Sequence, residues 1–394
     1  MRKILLLACI VFSQLLKAQG IHLSEASEIS VMTMGAYQPE LYSAFGHSAI
    51  RVADPENNLD YVYNYGVFDF NQKNFYLNFA KGEMVYKLGL AYYEPFRDFY
   101  ISQDRDVREQ VLNLTLDQRQ TFFSFLQNNY RPANREYLYN YVYDNCASKI
   151  PDVLNAVVGD QLTYSESYME PGKTIRQLMH DYLTYQPWGE WMIDIGLGAQ
   201  IDKEADAKEF MFLPDYVLKA LAVAAIQTEN GKEPLVKEMR VVYTAKNAPR
   251  ENGFFTPLTF FILLFFVGGF VTHRNLKSGK RTRWLDGILF GFAGFVGLWL
   301  VFLWTGTAHL SKWNYDLLWA VPFHFFAVFA LRKKAWTRFN HWYFKITAIL
   351  YGALLLGWAL LPEPINMAMV PFALLLLIRA AYISYDLRKG KFEM

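Results

Sequence analysis

Cysteine is scarce in this chain: two in 394 residues, Cys9 and Cys146. Cys9 lies in a short N-terminal apolar stretch that reads as a leader, so the exported chain keeps one thiol and can form no intramolecular disulfide. Such a thiol is a reactive group, half of an intermolecular bridge, or an inert side chain packed as a small hydrophobe. Histidine is scarce too: of seven, only His22, His47 and His180 precede residue 250. There is no Walker sequence, no glycine-rich dinucleotide fingerprint and no internal repeat, which removes the commonest nucleotide-binding and solenoid readings. The formal charge is only +2, and the basic residues gather in loops between apolar runs, so no nucleic-acid partner is expected.

The N-terminus has the parts of a signal peptide over residues 1–18. Arg2 and Lys3 form the positive region, Ile4 to Leu16 the apolar core, and Ala18 before Gln19 the cleavage point. Leu6-Leu7-Ala8-Cys9 looks like a lipobox but follows only five residues, too few for an upstream core, so lipidation at Cys9 is not expected. Residues 19–250 mix charges, aromatics and turn formers as a soluble domain does. Beyond them, residues 254–383 predict five membrane spans: 254–272, 284–304, 313–331, 342–361 and 365–383. The loops 273–283 and 332–341 are rich in lysine and arginine and contain no acid, whereas 305–312 has only Lys312 and 362–364 has no base. This alternation places the soluble domain outside and the tail, 384–394, in the cytoplasm, the orientation a leader also demands. Arg379, near the inner end of the last span, is expected to snorkel to the interface.

In the soluble domain, Phe45-Gly46-His47-Ser48-Ala49-Ile50-Arg51-Val52 and Asp60-Tyr61-Val62-Tyr63-Asn64-Tyr65-Gly66-Val67-Phe68 flank the turn formers Pro55-Glu56-Asn57-Asn58. They read as a hairpin that sets His47 and Asn64 on neighbouring strands. Thr115 and Gln118 form a capping box for a helix to about Asn129. Alternating tyrosines from Tyr137 to Tyr143 suggest a strand or an extended lead-in. Asn145 then suits a helix cap, with Cys146 in the first turn of a helix to about Val158. A thiol at that position feels the positive end of the helix dipole, which lowers its pKa, and a nearby imidazole would complete a Cys–His pair.

Histidine on an early strand, a polar residue on the next and cysteine at a later helix start resemble the permuted branch of the papain-like NlpC/P60 superfamily. That branch includes acyltransferases with an Asn-Cys dipeptide like Asn145-Cys146, although Ala147-Ser148-Lys149 departs from their downstream residues. The chain more closely resembles the Lnb family of bacterial lipoprotein N-acyltransferases, which join a periplasmic domain of this type to several membrane helices. The similarity lies in Ser43 to Val52, Tyr63 to Phe70 and Asp144-Asn145-Cys146-Ala147. It implies an α+β fold, with a permuted papain-like (NlpC/P60-type) extracytoplasmic domain followed by an all-α five-helix transmembrane domain in the bacterial inner membrane.

The resemblance implies that Cys146 takes an acyl chain from a phospholipid as a thioester and passes it to the α-amino group of a diacylated lipoprotein. His47 would be the base, with Asn64, or secondarily Asp69, orienting it. Asn145, His309 and Asn314 are candidate substrate contacts, the last two from the outer loop around 304–314. No metal and no soluble cofactor is required. Two other readings use the same residues differently: a membrane-anchored peptidoglycan cysteine peptidase or amidase, and a non-enzymatic scaffold or sensor.

Overall fold

The computed structural model describes residues 21–68, 72–229, 231–248 and 253–389; the expected leader, Cys9 and Asp69 lie outside them. The strands are β1 Glu28–Met34, β2 His47–Asp54, β3 Leu59–Val67, β4 Val85–Tyr92, β5 Val107–Leu112, β6 Glu136–Leu138, β7 Leu162–Thr163, β8 Ala225–Thr228, β9 Gly231–Pro234 and β10 Val236–Tyr243. Seven of them form one antiparallel sheet in the order β10-β5-β1-β2-β3-β4-β6. The soluble helices are α1 Phe75–Lys81, α2 Tyr93–Ser102, α3 Leu116–Tyr130, α4 Lys149–Val158, α5 Ile175–Leu183, α6 Pro187–Gly196, α7 Ala207–Phe210 and α8 Pro214–Val223.

Alternation along the strands decides what covers the sheet, because successive side chains point to opposite faces. Ile29 and Val31 of β1 join the main core with Phe122, Leu126, Ile150 and Leu154 from α3 and α4. Met32 and Met34, on the other face, pack with Ala49, Phe96 and Tyr100. The expected hairpin is β2–β3, with Ile50 opposite Tyr63 and a left-handed Asn58 (φ 54°) closing the turn. Arg51 clamps this hairpin, donating to both oxygens of Asp60 at 2.7 and 2.9 Å and to Glu109 on β5. The Thr115–Gln118 capping box opens α3 as expected. The tyrosine run is strand only at its start, in β6, and then turns.

The C-terminal half contains four helices long and apolar enough to cross a membrane: α9 Pro257–Ser278, α10 Arg283–Gly306, α12 within 334–360 (Thr337–Gly357), and α13 Met369–Lys389. The expected third span, 313–331, is not one helix. It is a 3-10 turn at Tyr315–Leu318 followed by the short α11, Phe323–Ala330. Asn314 accepts from the Asp316 N–H, Asp316 accepts from the Trp319 indole, and Pro322 has no N–H to continue a helix. The broken segment lies flush on α10: a Cβ on Gly297 would sit 1.9 Å from the Ala320 carbonyl oxygen. Arg379 does not snorkel. It is buried, bound at 2.8 and 2.5 Å to Asp286 of α10 and at 3.0 and 3.1 Å to Thr272 and Asn275 of α9. A carboxylate and two neutral acceptors meet its charge in place, which removes the reason to reach for water.

The two halves are stitched together. In the loop after α10, Ala308 donates to the Lys81 carbonyl (2.8 Å), Leu310 accepts from Gly198 (2.9 Å), and Ser311 donates to Gly196 (2.6 Å). Beside them Arg176 of α5, 1 % exposed, binds Asp202 at 2.8 Å, Asp194 at 3.1 Å and, in the loop before α13, Glu363 at 3.2 Å.

Candidate active site

His47 is the first residue of β2, and Asn64 stands near the end of β3 just before its ladder with β4 slips. That irregularity re-aims the strand end. His47 Nε2 and Asn64 Oδ1 are 2.6 Å apart, so the amide oxygen accepts from Nε2–H and Nδ1 is left free of this bond. Gly66 follows in the left-handed region (φ +90°), where a side chain is strained; a Cβ there would lie 3.6 Å from Cys146 Cβ and 4.0 Å from His47 Cε1. Gly66 therefore forms the floor between the two reactive groups.

Cys146 lies in a turn, and α4 is assigned only from Lys149, three residues later than the expected start. The capping expected of Asn145 is nevertheless present. Its Oδ1 accepts from the N–H groups of Ala147 (2.8 Å) and Ser148 (2.9 Å), and Lys149 N–H reaches the Asn145 carbonyl at 3.1 Å. Its Nδ2 donates to the carbonyls of Tyr141 (2.8 Å) and Phe212 (3.0 Å). Both lone pairs and both protons of this amide are spent on the chain, so Asn145, which also lines the cavity, holds the cysteine turn.

Cys146 and His47 stand close enough for each to shift the titration of the other. Burial pushes the thiol up, but the charge and hydrogen bond of His47, with N–H groups of Ser48 and Ala147, outweigh it and set Cys146 below its ordinary 9.0. Burial pulls His47 down, and the charge and hydrogen bond of Cys146 together with the Asn64 contact carry it above 6.5. Each shift favours the thiolate–imidazolium pair. The expected consequence is a pH–rate profile for Cys146 alkylation by iodoacetamide with its midpoint below 9.0. In His47→Gln the burial remains without its counter-charge, so the midpoint moves above 9.0. Equal midpoints in the two proteins would remove His47 as the cause.

The pair opens into a mostly apolar cavity of about 640 Å3. Phe45, Phe79 and Phe99 line it from the soluble domain, and Leu303, His309 and Ser311 complete the wall from the membrane half.

Residues 21–181 match the Lnb N-terminal periplasmic domain, and residues 249–390 match the Lnb transmembrane domain. The chain belongs to the Lnb family. It is a membrane protein with a periplasmic N-terminal domain and a helical C-terminal transmembrane domain. No curated protein and no solved structure matches it.

Within the Lnb periplasmic match, His47, Asn64 and Cys146 converge as the sequence predicts. Within the transmembrane match, His309 lines the cavity, its Nε2 3.2 Å from the Phe79 carbonyl oxygen. Asn314 does not line it. It is buried, donating to the Ile195 carbonyl (2.8 Å) and capping the 3-10 turn, so it corrects from substrate contact to structural cap. Arg105 escaped the sequence reading. It lines the cavity, yet Asp104-Arg105-Asp106 carries no spacing that would single it out. His180, Glu190 and Asp194 place one ligand atom each within 4.8 Å of one another, a possible metal set. Asp194, however, already holds Arg176, His180 (2.7 Å) and Asn366 (2.7 Å), which makes it the hub of an ion-pair network.

Proposed function

We propose that this Lnb-family protein is a lipoprotein N-acyltransferase that uses a Cys146 thioester. The observation that carries the reading is the cavity: the Cys146–His47 pair faces an apolar chamber whose wall is finished by the membrane half. A cell-wall peptidase has no use for such a wall, and a scaffold has no use for a thiol set below its ordinary pKa.

In the proposed reaction the Cys146 thiolate attacks the ester carbonyl of a membrane phospholipid. The C–O bond breaks, the departing alkoxide takes the proton of the His47 imidazolium, and a lysophospholipid leaves a thioester on Cys146. The α-amine of the lipoprotein's diacylglyceryl cysteine then attacks the thioester, His47 accepts its proton, the C–S bond breaks, and an amide forms as the Cys146 thiolate is released beside the imidazolium. Asn64 keeps the His47 tautomer that presents Nδ1 to sulfur, and no metal or cofactor takes part.

Helix α1 supports a site at the membrane surface. Tyr76, Leu77 and Phe79 leave apolar side chains exposed beside the loop that follows α10, as suits an element lying in the interface. The proposal includes a permuted papain-like domain, supported by the order of His47, Asn64 and Cys146. It also includes five passes through the inner membrane, with the broken segment 315–330 as the third and the C-terminus in the cytoplasm, supported by the basic loops 273–283 and 332–341.

The test is mass spectrometry of the intact protein after incubation with phospholipid and no acceptor. One acyl group on Cys146, released when a diacylated lipopeptide is added, is the expected result. An unmodified thiol in a folded protein would sink the proposal.

A further inference from the structure

Arg105 is 4 % exposed and carries a charge with no carboxylate partner among the described residues. Its Nε donates to the Gly35 carbonyl (2.7 Å) and its Nη1 to the Gln103 amide oxygen (3.2 Å). Its Nη2 has no hydrogen-bond partner, and the nearest compensation is the face of Tyr100, 4.7 Å from the guanidinium carbon. Glu40, the carboxylate on the cavity wall, hydrogen-bonds Tyr42 instead. Apart from the charge that Cys146 carries when ionised, the groups that hold this buried guanidinium are neutral, which is costly, and such charges are kept where an anion completes them.

The place of Arg105 says which anion. With Gln103 it lines both the apolar cavity at Cys146 and an adjoining groove of about 1320 Å3, whose wall includes Arg108, Asp106, Asp215 and Lys219. Its charge is felt at His47 and Cys146, so it stands close to the reacting atoms. A ligand lying across it would have an apolar part by the thiol, an anion at the guanidinium and a polar part beyond. A peptide carboxylate would leave the apolar cavity empty; a phospholipid fills all three places, because its phosphodiester sits on the glycerol that bears the ester.

We propose that Arg105 binds the phosphodiester of the acyl donor, with the head group in the adjoining groove, so that the site selects phospholipids over uncharged diglycerides. This rests on the cavity being an acyl-chain site, as in the proposed function, but not on the transfer itself.

The experiment therefore reads binding without chemistry. Cys146 in the full-length protein is alkylated with iodoacetamide in detergent micelles carrying dialkyl-ether phosphatidylglycerol, dialkylglycerol or neither. Ether lipids have no ester to cleave, and the ratio of rates with and without lipid cancels any change in the thiol itself. The wild type should be slowed roughly tenfold or more by the ether phospholipid relative to the ether diglyceride. Arg105→Gln should lose that difference, and Arg105→Lys, which restores a point charge, should regain part of it. Equal protection of the wild type by both lipids would overturn the proposal, and this arm needs no variant to fold. So would full discrimination by a folded Arg105→Gln, or inorganic phosphate protecting as well as the lipid. Absence of an acyl adduct on Cys146, with lipid discrimination intact, would instead fault the reaction and leave the anion site standing.

Discussion

Cys146→Ser is expected to lower acyl transfer by about 1,000-fold or more while the protein folds and melts as the wild type does. The side chain changes by one atom in a half-buried turn, and the Asn145 contacts that shape the turn are made by neighbouring backbone and carbonyl groups. The chemistry changes far more. The His47 charge and the N–H groups of Ser48 and Ala147 draw the thiol below 9.0, whereas a hydroxyl stays protonated in the same setting and cannot join an ion pair with the imidazole. Transfer of a labelled acyl chain from phospholipid to a diacylated lipopeptide, with thermal unfolding followed in parallel, measures both halves of the expectation. Turnover at the wild-type rate would remove Cys146 from the mechanism.

Arg176→Met should have the largest effect on stability, about 3–5 kcal/mol, because it leaves buried carboxylates without their cation. Asp194 and Asp202 lose a partner at 3.1 and 2.8 Å, and Glu363 loses the contact that ties the loop before α13 to the periplasmic domain. The damage should fall on the junction between the halves. Thermal unfolding in detergent should show the single wild-type transition split or shifted down, and limited proteolysis should cut near 196–202 sooner. A replacement that unfolds with the wild type would show that the network contributes little beyond its own desolvation. Replacing the partners together with Arg176 by apolar residues should restore most of the loss, since the penalty comes from unpaired charge.

Much of the site was legible because its parts are local. The β2–β3 hairpin is written in strand alternation around Pro55 to Asn58, and it alone brings His47 and Asn64 together, seventeen residues apart in sequence. The Thr115 cap and the four long apolar helices follow from short-range patterns as well. What stayed hidden depends on distant partners. Arg176 and Glu363 are 187 positions apart, and no periodicity joins them. A hydropathy average reads 313–331 as one unbroken helix because it sums apolar residues and cannot weigh the single Pro322 that interrupts it. Arg379 was expected at the interface because the sequence does not show Asp286 facing it from another helix. Asn314 is a polar residue beside a functional segment, and only its hydrogen bonds distinguish a cap from a contact.

The cavity beside Cys146 holds about 640 Å3, a volume suited to one small amphiphile at a time. In the proposed transfer the donor and the acceptor must therefore take turns. The lysophospholipid has to depart before the lipoprotein's tails can settle, and the two substrates compete for the same vacated enzyme. Such a protein follows ping-pong kinetics: reciprocal plots at several acceptor concentrations run parallel, and excess lipoprotein slows the first half-reaction. Product build-up acts the same way, because a lysophospholipid that lingers in the outer leaflet can reclaim the acyl group from the thioester. In a living membrane the forward flux would then be set by how fast lysophospholipid is cleared as much as by the thiol itself.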